Sequence, residues 1–227
     1  MGNWITEENG IEKVAVDYFE SLFSTTTPTE FDGFLEEVPT SVTEAQNLRL
    51  MEVATEDEVK AALFMMQLEK APGPDGMTAF FYQQSWSIIK RDVVNMVNDF
   101  LRTGCFDGRL NLTNFCLIPK TARPNRMTEL PISLCNVGYK IISKVLCQRL
   151  KGFLPNLISQ IQSAFVSGRL ISDNILIAQE MFHGLRTNNL CKENFLAIKT
   201  YMSKAYDRVE WSFLQRLLLK MGFSMEW

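Results

Sequence analysis

The sequence predicts a helix-rich α+β fold. Three observations support it: apolar residues recur at helical spacing in several segments, two short strand-forming runs lie close together, and 46% of the 227 residues are hydrophobic. Helical periodicity indicates amphipathic helices, and the paired short runs indicate a hairpin. A chain of this length and apolar content can bury a substantial core, as one large domain or two small ones.

The first part of the chain alternates helix and linker. Apolar spacing predicts an amphipathic helix over residues 11–23, and the run 25–29, which contains Pro28, ends it. Residues 30–54 are acidic with weak periodicity, so we expect a linker with a short helix at most. Thr55 and Glu58 have the spacing of a capping box and predict a following helix. Its predicted inner face is Val59, Ala62, Leu63 and Met66.

The middle of the chain contains a turn, two helices and a hairpin. Residues 70–76, Lys-Ala-Pro-Gly-Pro-Asp-Gly, predict a sharp turn because Pro lacks a backbone donor and Gly admits left-handed dihedrals. Helices are predicted around 79–89 and 92–101. The strand-forming runs 114–120 and 132–135, joined by a basic loop, predict an antiparallel hairpin.

The last part is predicted to be mostly helical. We expect Asn136 to cap a long helix that ends before Pro155, with Lys140 and Lys144 on its solvent side. An irregular loop at 162–169 and a helix from Asp173 follow. The apolar run 195–198 predicts a short buried strand. A final helix is expected from Lys204 onward, with an apolar face of Val209, Phe213, Leu214, Leu217 and Leu218.

Charge is distributed unevenly along the chain. The net charge is −3, but residues 1–69 carry 3 basic and 15 acidic side chains whereas residues 102–151 carry 9 basic and 2 acidic ones. A basic segment behind an acidic one is typical of a localised phosphate-binding face. An ordinary solvated basic helix explains the same pattern from charge alone.

Composition excludes several classes of protein. The five cysteines are odd in number and lack Cys-x-x-Cys spacing, so we expect reduced thiols rather than a disulfide or zinc framework. His183 has no nearby Cys or acidic relay, and we expect no catalytic or metal role for it. The sequence has no membrane-length apolar stretch and no secretion signal. We therefore expect a soluble, non-secreted protein of the nucleus or cytoplasm.

The most informative stretch is residues 196–211, which contains Tyr201-Met202-Ser203-Lys204-Ala205-Tyr206-Asp207. It follows several other short motifs in a fixed order. These are the turn at 70–76, Asn114–Lys120, Pro131–Val137, Tyr139–Lys144, Gln162–Val166 with Gly168-Arg169, and Asp173–Ile175. Together they resemble the reverse transcriptases of LINE-type, non-LTR retrotransposons, which are common in plant genomes. The resemblance covers residues 2–227. The turn at 70–76 lacks the Gly-x4-Gly-Lys-Ser/Thr of a P-loop, so a nucleotide hydrolase is only weakly supported.

The resemblance implies the fingers and the first part of the palm of a right-hand polymerase. Residues 196–211 resemble the family's motif A, and the palm is incomplete after this motif. It divides the chain into an acidic connector (1–54), a fingers-like region (55–194) and the start of the palm (195–227). The implied partners are an RNA template and an RNA–DNA hybrid, with deoxynucleoside triphosphates as substrates and no membrane. Mg²⁺ is the cofactor of the parent family, but we expect this chain to bind none.

The resemblance also assigns site residues. Tyr201 occupies the position of the motif A Asp that holds magnesium, so no catalytic residue is intact. A phenol cannot replace a carboxylate there, because it is neutral at pH 7 and offers one oxygen on a bulky ring. The implied nucleotide-binding residues are Lys120, Met202 and Tyr206. The implied nucleic-acid-binding residues are Arg123, Arg126, Lys140, Lys144 and Arg169.

The sequence departs from the family's motifs at two further places, both of which affect nucleotide addition. The family's Arg before Pro-Ile-Ser, which grips the triphosphate, is missing here, where Glu129-Leu130 precede Pro131. The family's later Asp-Asp pair is also absent from the 227 residues. Three hypotheses follow: a catalytically inactive polymerase fragment, a non-catalytic nucleic-acid-binding remnant, or an unselected relic. The relic would be marginally folded, with an uncovered helix face at Leu214, Leu217 and Leu218.

Overall fold

A computed structural model describes residues 7–25, 28, 31–118, 131–189, 194–202 and 204–227. Helices dominate these residues. The α-helices are α1 (Glu8–Phe23), α2 (Asp32–Leu35), α3 (Glu44–Leu50), α4 (Glu56–Phe64), α5 (Ala79–Gln84), α6 (Trp86–Thr103), α7 (Val137–Lys151), α8 (Leu154–Leu157), α9 (Ile171–Thr187) and α10 (Trp211–Lys220). Short 3₁₀ helices span Gly108–Asn111 and Tyr206–Arg208.

The two described strands form the predicted hairpin. β1 (Thr113–Leu117) pairs antiparallel with β2 (Pro131–Cys135), so that Thr113 lies opposite Cys135 and Leu117 opposite Pro131. The predicted basic loop that joins the strands lies outside the described residues. Helices with one small sheet confirm the helix-rich α+β class.

The chain divides into two compact units. The first combines Met1–Gln148 with Tyr206–Trp227, and the second is Arg149–Ala205. These units follow packing, whereas the predicted boundaries at 54 and 194 divide the chain by function. The functional division therefore stays a prediction.

The core of the first unit lies between α4, α6 and α7. Their apolar stripes meet there, and Leu63, Val97 and Ile141 are fully buried. The Asn98 side chain fixes the chain just before α4, because it accepts from the Ala54 amide at 2.7 Å and donates to the Ala54 carbonyl at 3.0 Å. Asn98 is half-buried, and a polar group satisfied in this way costs little stability. The core therefore has both packed apolar faces and a polar anchor.

The expectation of a linker over residues 30–54 is wrong for the described part, 31–54, which we call the acidic segment. It contains α2 and α3 and buries Leu35 and Leu50. Its backbone amides at Ser41 and Val42 both donate to the Met221 carbonyl at 2.9 Å. Tertiary contacts of this kind override weak local periodicity. A complete Thr43–Gln46 capping box, which the sequence analysis overlooked, begins α3.

The acidic segment also covers α10. The Phe31 and Phe213 rings lie 5.5 Å apart, and the Arg216 guanidinium lies over the Phe31 ring. Leu214, Leu217 and Leu218 are consequently half-buried, and the expected uncovered face is wrong for these residues. The helix also begins at Trp211 rather than Lys204, which has a positive φ of 55° that a helix cannot continue.

Other helix boundaries follow the sequence closely. The helices predicted at 11–23 and after Thr55 are confirmed, and Thr55 accepts from the Glu58 amide at 3.2 Å. The two helices predicted at 79–89 and 92–101 instead meet at Ser85. Pro155 lies inside α8, near its start, where a missing amide costs nothing. The helix expected from Asp173 begins two residues earlier.

The second unit buries little of its surface. In its described residues, Ser163 and Val166 are buried, and α9 has no buried residue. The irregular loop predicted at 162–169 is confirmed. Cys105, Cys116, Cys135 and Cys147 are free thiols, and Cys191 lies outside the described residues. Over the described residues, no helix combines the length and apolarity required to cross a bilayer.

Candidate polymerase and nucleic-acid site

The motif A segment does not form the predicted strand. Residues 195–202 have no regular secondary structure, and Leu196 and Ile198 are exposed rather than buried. A strand is stabilised by hydrogen bonds to a neighbouring strand, and the described residues provide none beside this run. The apolar sequence alone was therefore insufficient to predict its structure.

The two motif A side chains of the second unit face solvent. Tyr201, at the position of the family's Asp, is 88% exposed, and Met202 is 70% exposed. Tyr206 belongs to the first unit, where it begins a 3₁₀ helix with 77% exposure. Lys120, the third expected nucleotide contact, lies outside the described residues. The nucleotide-binding role of these residues therefore stays a prediction.

The described donor set does not fit a divalent metal ion. Mg²⁺ prefers carboxylate and phosphate oxygens in octahedral arrangement. In the described ranges no three His, Cys, Asp or Glu side chains come close enough to hold an ion. The position expected to supply the first carboxylate carries the neutral phenol of Tyr201. We therefore assign no step of chemistry to a metal in this chain.

The turn at 70–76 is held against the hairpin by Asn136. This buried side chain accepts from the Asp75 amide at 3.2 Å and donates to the carbonyls of Arg109 and Leu110 at 3.0 and 3.3 Å. A Cβ at position 73 would lie 2.3–2.6 Å from atoms of Asn136 and from the carbonyl carbon of Cys135. Only glycine therefore fits at this position. Sequence reasoning gave Asn136 a helix-capping role; its side chain instead joins three segments of the chain.

Lys140 and Lys144, two predicted nucleic-acid contacts, line one cleft of about 400 Å³. They lie one turn apart on α7, with Ser143 between them. The opposite wall follows α4 and includes Lys70, which the sequence analysis did not assign to the site. No local signal could have found it, because the cleft forms only when the turn packs against α7. The structure thus adds a third cation to the predicted pair.

Arg169 holds its own loop together. Its guanidinium donates to four backbone carbonyls: Ser159 at 2.5 Å, Gln162 at 2.6 Å, Ile158 at 3.0 Å and Pro155 at 3.1 Å. The Ser159 carbonyl also accepts from the Gln162 amide at 3.0 Å, so the guanidinium adds to the backbone hydrogen bonds of this segment. The structure therefore assigns Arg169 a structural role, and its contact with nucleic acid stays a prediction. Arg123 and Arg126 lie outside the described residues.

The pKa values of Tyr82, near the turn, and of Asp107, near the hairpin, are shifted from their usual values. Burial, assisted by the negative charge of Asp75, raises the pKa of the Tyr82 phenol. Hydrogen bonds from the Arg109 guanidinium and amide lower the pKa of Asp107 to about 2. The Asp107–Arg109 pair is at the surface and contributes little to stability. Neither shift creates an acid or base suited to catalysis near neutral pH.

Comparison with known proteins agrees with the motifs. The model of the family "Reverse transcriptase (RNA-dependent DNA polymerase)" matches residues 118–227. A relative from Xenopus laevis, described as "Transposon TX1 uncharacterized 149 kDa protein", is 29% identical over 225 residues. That match covers 98% of this chain and 17% of the relative, so the chain spans about a sixth of the relative's length.

The two comparisons support the resemblance over different parts of the chain. The family match includes β2, α7, α9 and the motif A segment, and the match to the transposon protein extends through the acidic segment. Reverse transcriptases bind nucleic-acid templates and generally use a divalent metal ion. The predicted resemblance is thereby confirmed: residues 118–227 match the reverse transcriptase domain, and the chain is similar to a transposon protein over nearly its whole length.

Proposed function

We propose that the chain comprises the fingers and the start of the palm of an RNA-directed DNA polymerase from a non-LTR retrotransposon, and that it does not catalyse nucleotide addition. The family match, the transposon relative and the order of the motifs support the ancestry. The single observation that carries the inactivity is Tyr201, a neutral and exposed side chain at the position of the metal-binding Asp.

The chemistry explains why this one residue matters. Nucleotide addition requires the triphosphate charge to be neutralised and the attacking and leaving oxygens to be clamped by two metal ions. Loss of an anionic metal ligand costs several kcal/mol of transition-state stabilisation, which corresponds to about three or more decades in rate. The absent Arg before Pro131 removes a bidentate triphosphate contact as well. Both losses act on the same step.

Primer extension tests this proposal. The 227-residue chain is incubated with a labelled primer on an RNA template, the four deoxynucleoside triphosphates and Mg²⁺, and product length is followed. We expect no added nucleotide. Extension of the primer by the wild-type chain would refute the inactivity.

The variant Tyr201→Asp refines that test. We expect it to restore no synthesis either, because one carboxylate does not complete a two-metal site and the 227 residues contain no adjacent Asp-Asp pair. Tyr201→Phe serves as the control, since it keeps the ring and adds no ligand. Recovery with Asp but not Phe would show that Tyr201 is the sole obstacle to activity.

A second function, non-catalytic binding of nucleic acid, is favoured by the basic stretch at 102–151 and by the three-lysine cleft. We propose that the chain binds an RNA template or an RNA–DNA hybrid through this basic region. Because such binding releases counterions, affinity should fall steeply with salt. Fluorescence anisotropy with a labelled hybrid at several salt concentrations measures it. Affinity that is independent of salt would refute this function.

A further inference from the structure

A groove of about 480 Å³ lies between α1 and β1, and we call it the aromatic groove. Six apolar side chains and one acidic side chain line it: Ala15, Val16, Phe19, Phe23, Phe115, Leu117 and Glu20. Both elements belong to the first unit, so the groove is formed within one compact body. None of these residues takes part in the candidate polymerase and nucleic-acid site described above.

Three phenylalanine rings join the two sides of the aromatic groove. The Phe115 ring stacks on the Phe19 ring with centroids 5.3 Å apart and an interplanar angle of 11°, and it lies 6.2 Å from the Phe23 ring. Phe19 and Phe23 stack on each other at 5.9 Å. Aromatic pairs of this kind contribute stability beyond the area that they bury. The groove is therefore built into the contact between helix and strand.

The aromatic groove is open to solvent. Phe23 is 52% exposed and Phe115 is 47% exposed, and Val16 and Leu117 are exposed as well. Neighbouring exposed apolar side chains mark interaction sites more often than scattered single ones do. Apolar side chains of a partner would move from water into the groove, and this transfer favours binding.

The surface around the aromatic groove is acidic. α1 carries four acidic side chains and one basic side chain. Glu8 and Glu12 precede Val16 at intervals of four residues, so they continue the groove-facing side of α1 toward its amino end. With Glu20, which lines the groove, they form what we call the acidic rim. The ion pairs found among the described residues involve no acid of α1.

The acidic rim selects among possible occupants. An RNA strand or an anionic membrane would meet like charge there. A second copy of the chain would bring the same glutamates together, because an isologous interface pairs a surface with itself. Like charges that face each other across an interface suppress the wrong partner. The occupant must therefore combine apolar side chains with positive charge.

The exposed apolar face of α9 provides no such selection. Ile175 and Ile177 are more than half exposed, but α9 carries both the acidic Asp173 and Glu180 and the basic Arg186. Mixed charge of this kind specifies no partner chemistry. The aromatic groove differs because the rim beside it carries one sign of charge.

We propose that the aromatic groove binds a basic amphipathic helix of a partner protein, with apolar side chains in the groove and Lys or Arg side chains beside the acidic rim. A helix fits because its apolar anchors, spaced by three or four residues, lie on one side with charged side chains next to them. α1 has 16 residues and is about 24 Å long, so a helix of about 14 residues lies along most of it. This proposal is independent of nucleic-acid binding, which is assigned to the basic region.

Two labelled synthetic peptides probe the charge of the occupant. Both are about 14 residues long with Leu at helical spacing; one has Lys at the other positions and the second has Glu. Fluorescence anisotropy measures their binding at low and high salt. We expect the Lys–Leu peptide to bind the wild-type chain at least about tenfold more tightly than the Glu–Leu peptide at low salt, with a smaller difference at high salt. Equal affinity, or no binding of the Lys–Leu peptide, would overturn the proposal.

A matched pair of variants tests the apolar walls. V16S/L117S removes two apolar side chains of the groove, and L48S/V53S removes two exposed apolar side chains outside it. Circular dichroism verifies that both variants are folded. We expect V16S/L117S to bind the Lys–Leu peptide about tenfold or more weakly, because less apolar surface is buried. The control should bind like the wild-type chain, and equal losses would place the peptide elsewhere.

A second matched pair tests the acidic rim and leaves the apolar walls intact. E8Q/E12Q/E20Q removes the rim charges, and E36Q/E37Q/E69Q removes the same charge at exposed positions outside the groove. We expect the rim variant to bind the Lys–Leu peptide about fivefold more weakly at low salt and to lose most of the salt dependence, since rim charges act mainly through steering. Equal losses in both variants would indicate general attraction to an acidic chain and would overturn the groove assignment.

Light scattering on the wild-type chain and on V16S/L117S separates a partner helix from a second copy of the chain. We expect the two to have the same molar mass. A wild-type dimer that V16S/L117S dissociates would assign the aromatic groove to a second copy and overturn the proposal. None of these outcomes depends on whether the chain binds an RNA–DNA hybrid, so failure here and failure of nucleic-acid binding are distinguishable.

Discussion

The helices α7 and α9 are similar in length, with 15 and 17 residues, yet they pack very differently. α7 buries Val137, Ile141, Ile142 and Val145 against the core of the first unit. α9 buries no residue, and Ile175, Leu176 and Ile177 are all more than half exposed. Apolar periodicity predicts that a helix forms, but burial depends on which other elements are available to cover it.

The most decisive test of this contrast replaces the same residue type in both helices. Ile141 is fully buried and Ile175 is 54% exposed. Ile141→Ala should lower the free energy of unfolding by about 2–5 kcal/mol, because it removes buried methyl groups and leaves a cavity. Ile175→Ala should change it by less than about 0.5 kcal/mol. Urea unfolding measures both, and equal losses would show that α9 is packed as tightly as α7.

Glycine substitutions test the same difference in packing between the first unit and α9. Gly73→Ala should destabilise the first unit by about 1–3 kcal/mol, since the new Cβ would overlap Asn136. Gly184→Ala in α9 meets no atom within 4 Å and should stabilise that helix by about 0.5–1 kcal/mol. Thermal unfolding followed by circular dichroism gives both shifts. A tolerated Gly73→Ala would contradict the close approach between the turn and the hairpin.

The acidic segment provides a smaller test within the first unit. The Asn47 side chain donates to the Gly222 carbonyl at 2.7 Å and accepts from the Ser224 amide at 3.0 Å. Asn47→Ala should cost about 2 kcal/mol, at about 1 kcal/mol for each hydrogen bond. Asn95→Ala, at an exposed position of α6, is the control and should be close to neutral. Equal stability of the two variants in urea would show that the segment is a linker after all.

The smallest expected effect concerns alkaline pH. Burial raises the pKa of Tyr82 in the folded chain, so the native state holds the phenol proton more tightly than the unfolded state does. This contribution to stability is complete below about pH 10 and is lost as pH rises toward the folded pKa. Tyr82→Phe should therefore weaken the decline in stability above pH 10. An unchanged pH profile would contradict the raised pKa.

The sequence predicted local structure better than long-range contacts. The helices at 8–23 and 56–64 and the hairpin followed from periodicity and capping residues, which act between near neighbours. The acidic segment could not be predicted, because its stability comes from contacts with residues more than 170 positions later. The strand expected at 195–198 failed for a related reason, since a strand requires a partner strand that its own sequence does not specify.

The candidate site shows the same limit. Lys140 and Lys144 were predicted from the family resemblance, and their spacing placed both on the solvent side of one helix, whereas Lys70 joins them only through the packing of the turn. Asn136 was assigned to the correct helix start but not to its actual hydrogen-bond partners at Asp75, Arg109 and Leu110. Motif order, by contrast, predicted the resemblance to reverse transcriptases without any structure. Homology is therefore the stronger signal for ancestry, and packing is the stronger one for the binding surface.

We propose that this chain, which carries a reverse transcriptase domain match over residues 118–227, binds nucleic acid without extending it. One titration tests it most directly: the chain is added to a labelled primer on an RNA template with Mg²⁺ and deoxynucleoside triphosphates, and anisotropy and product length are recorded from the same samples. We expect salt-sensitive binding with the primer unchanged in length. A primer lengthened by the wild-type chain, with Tyr201 in place, would contradict it.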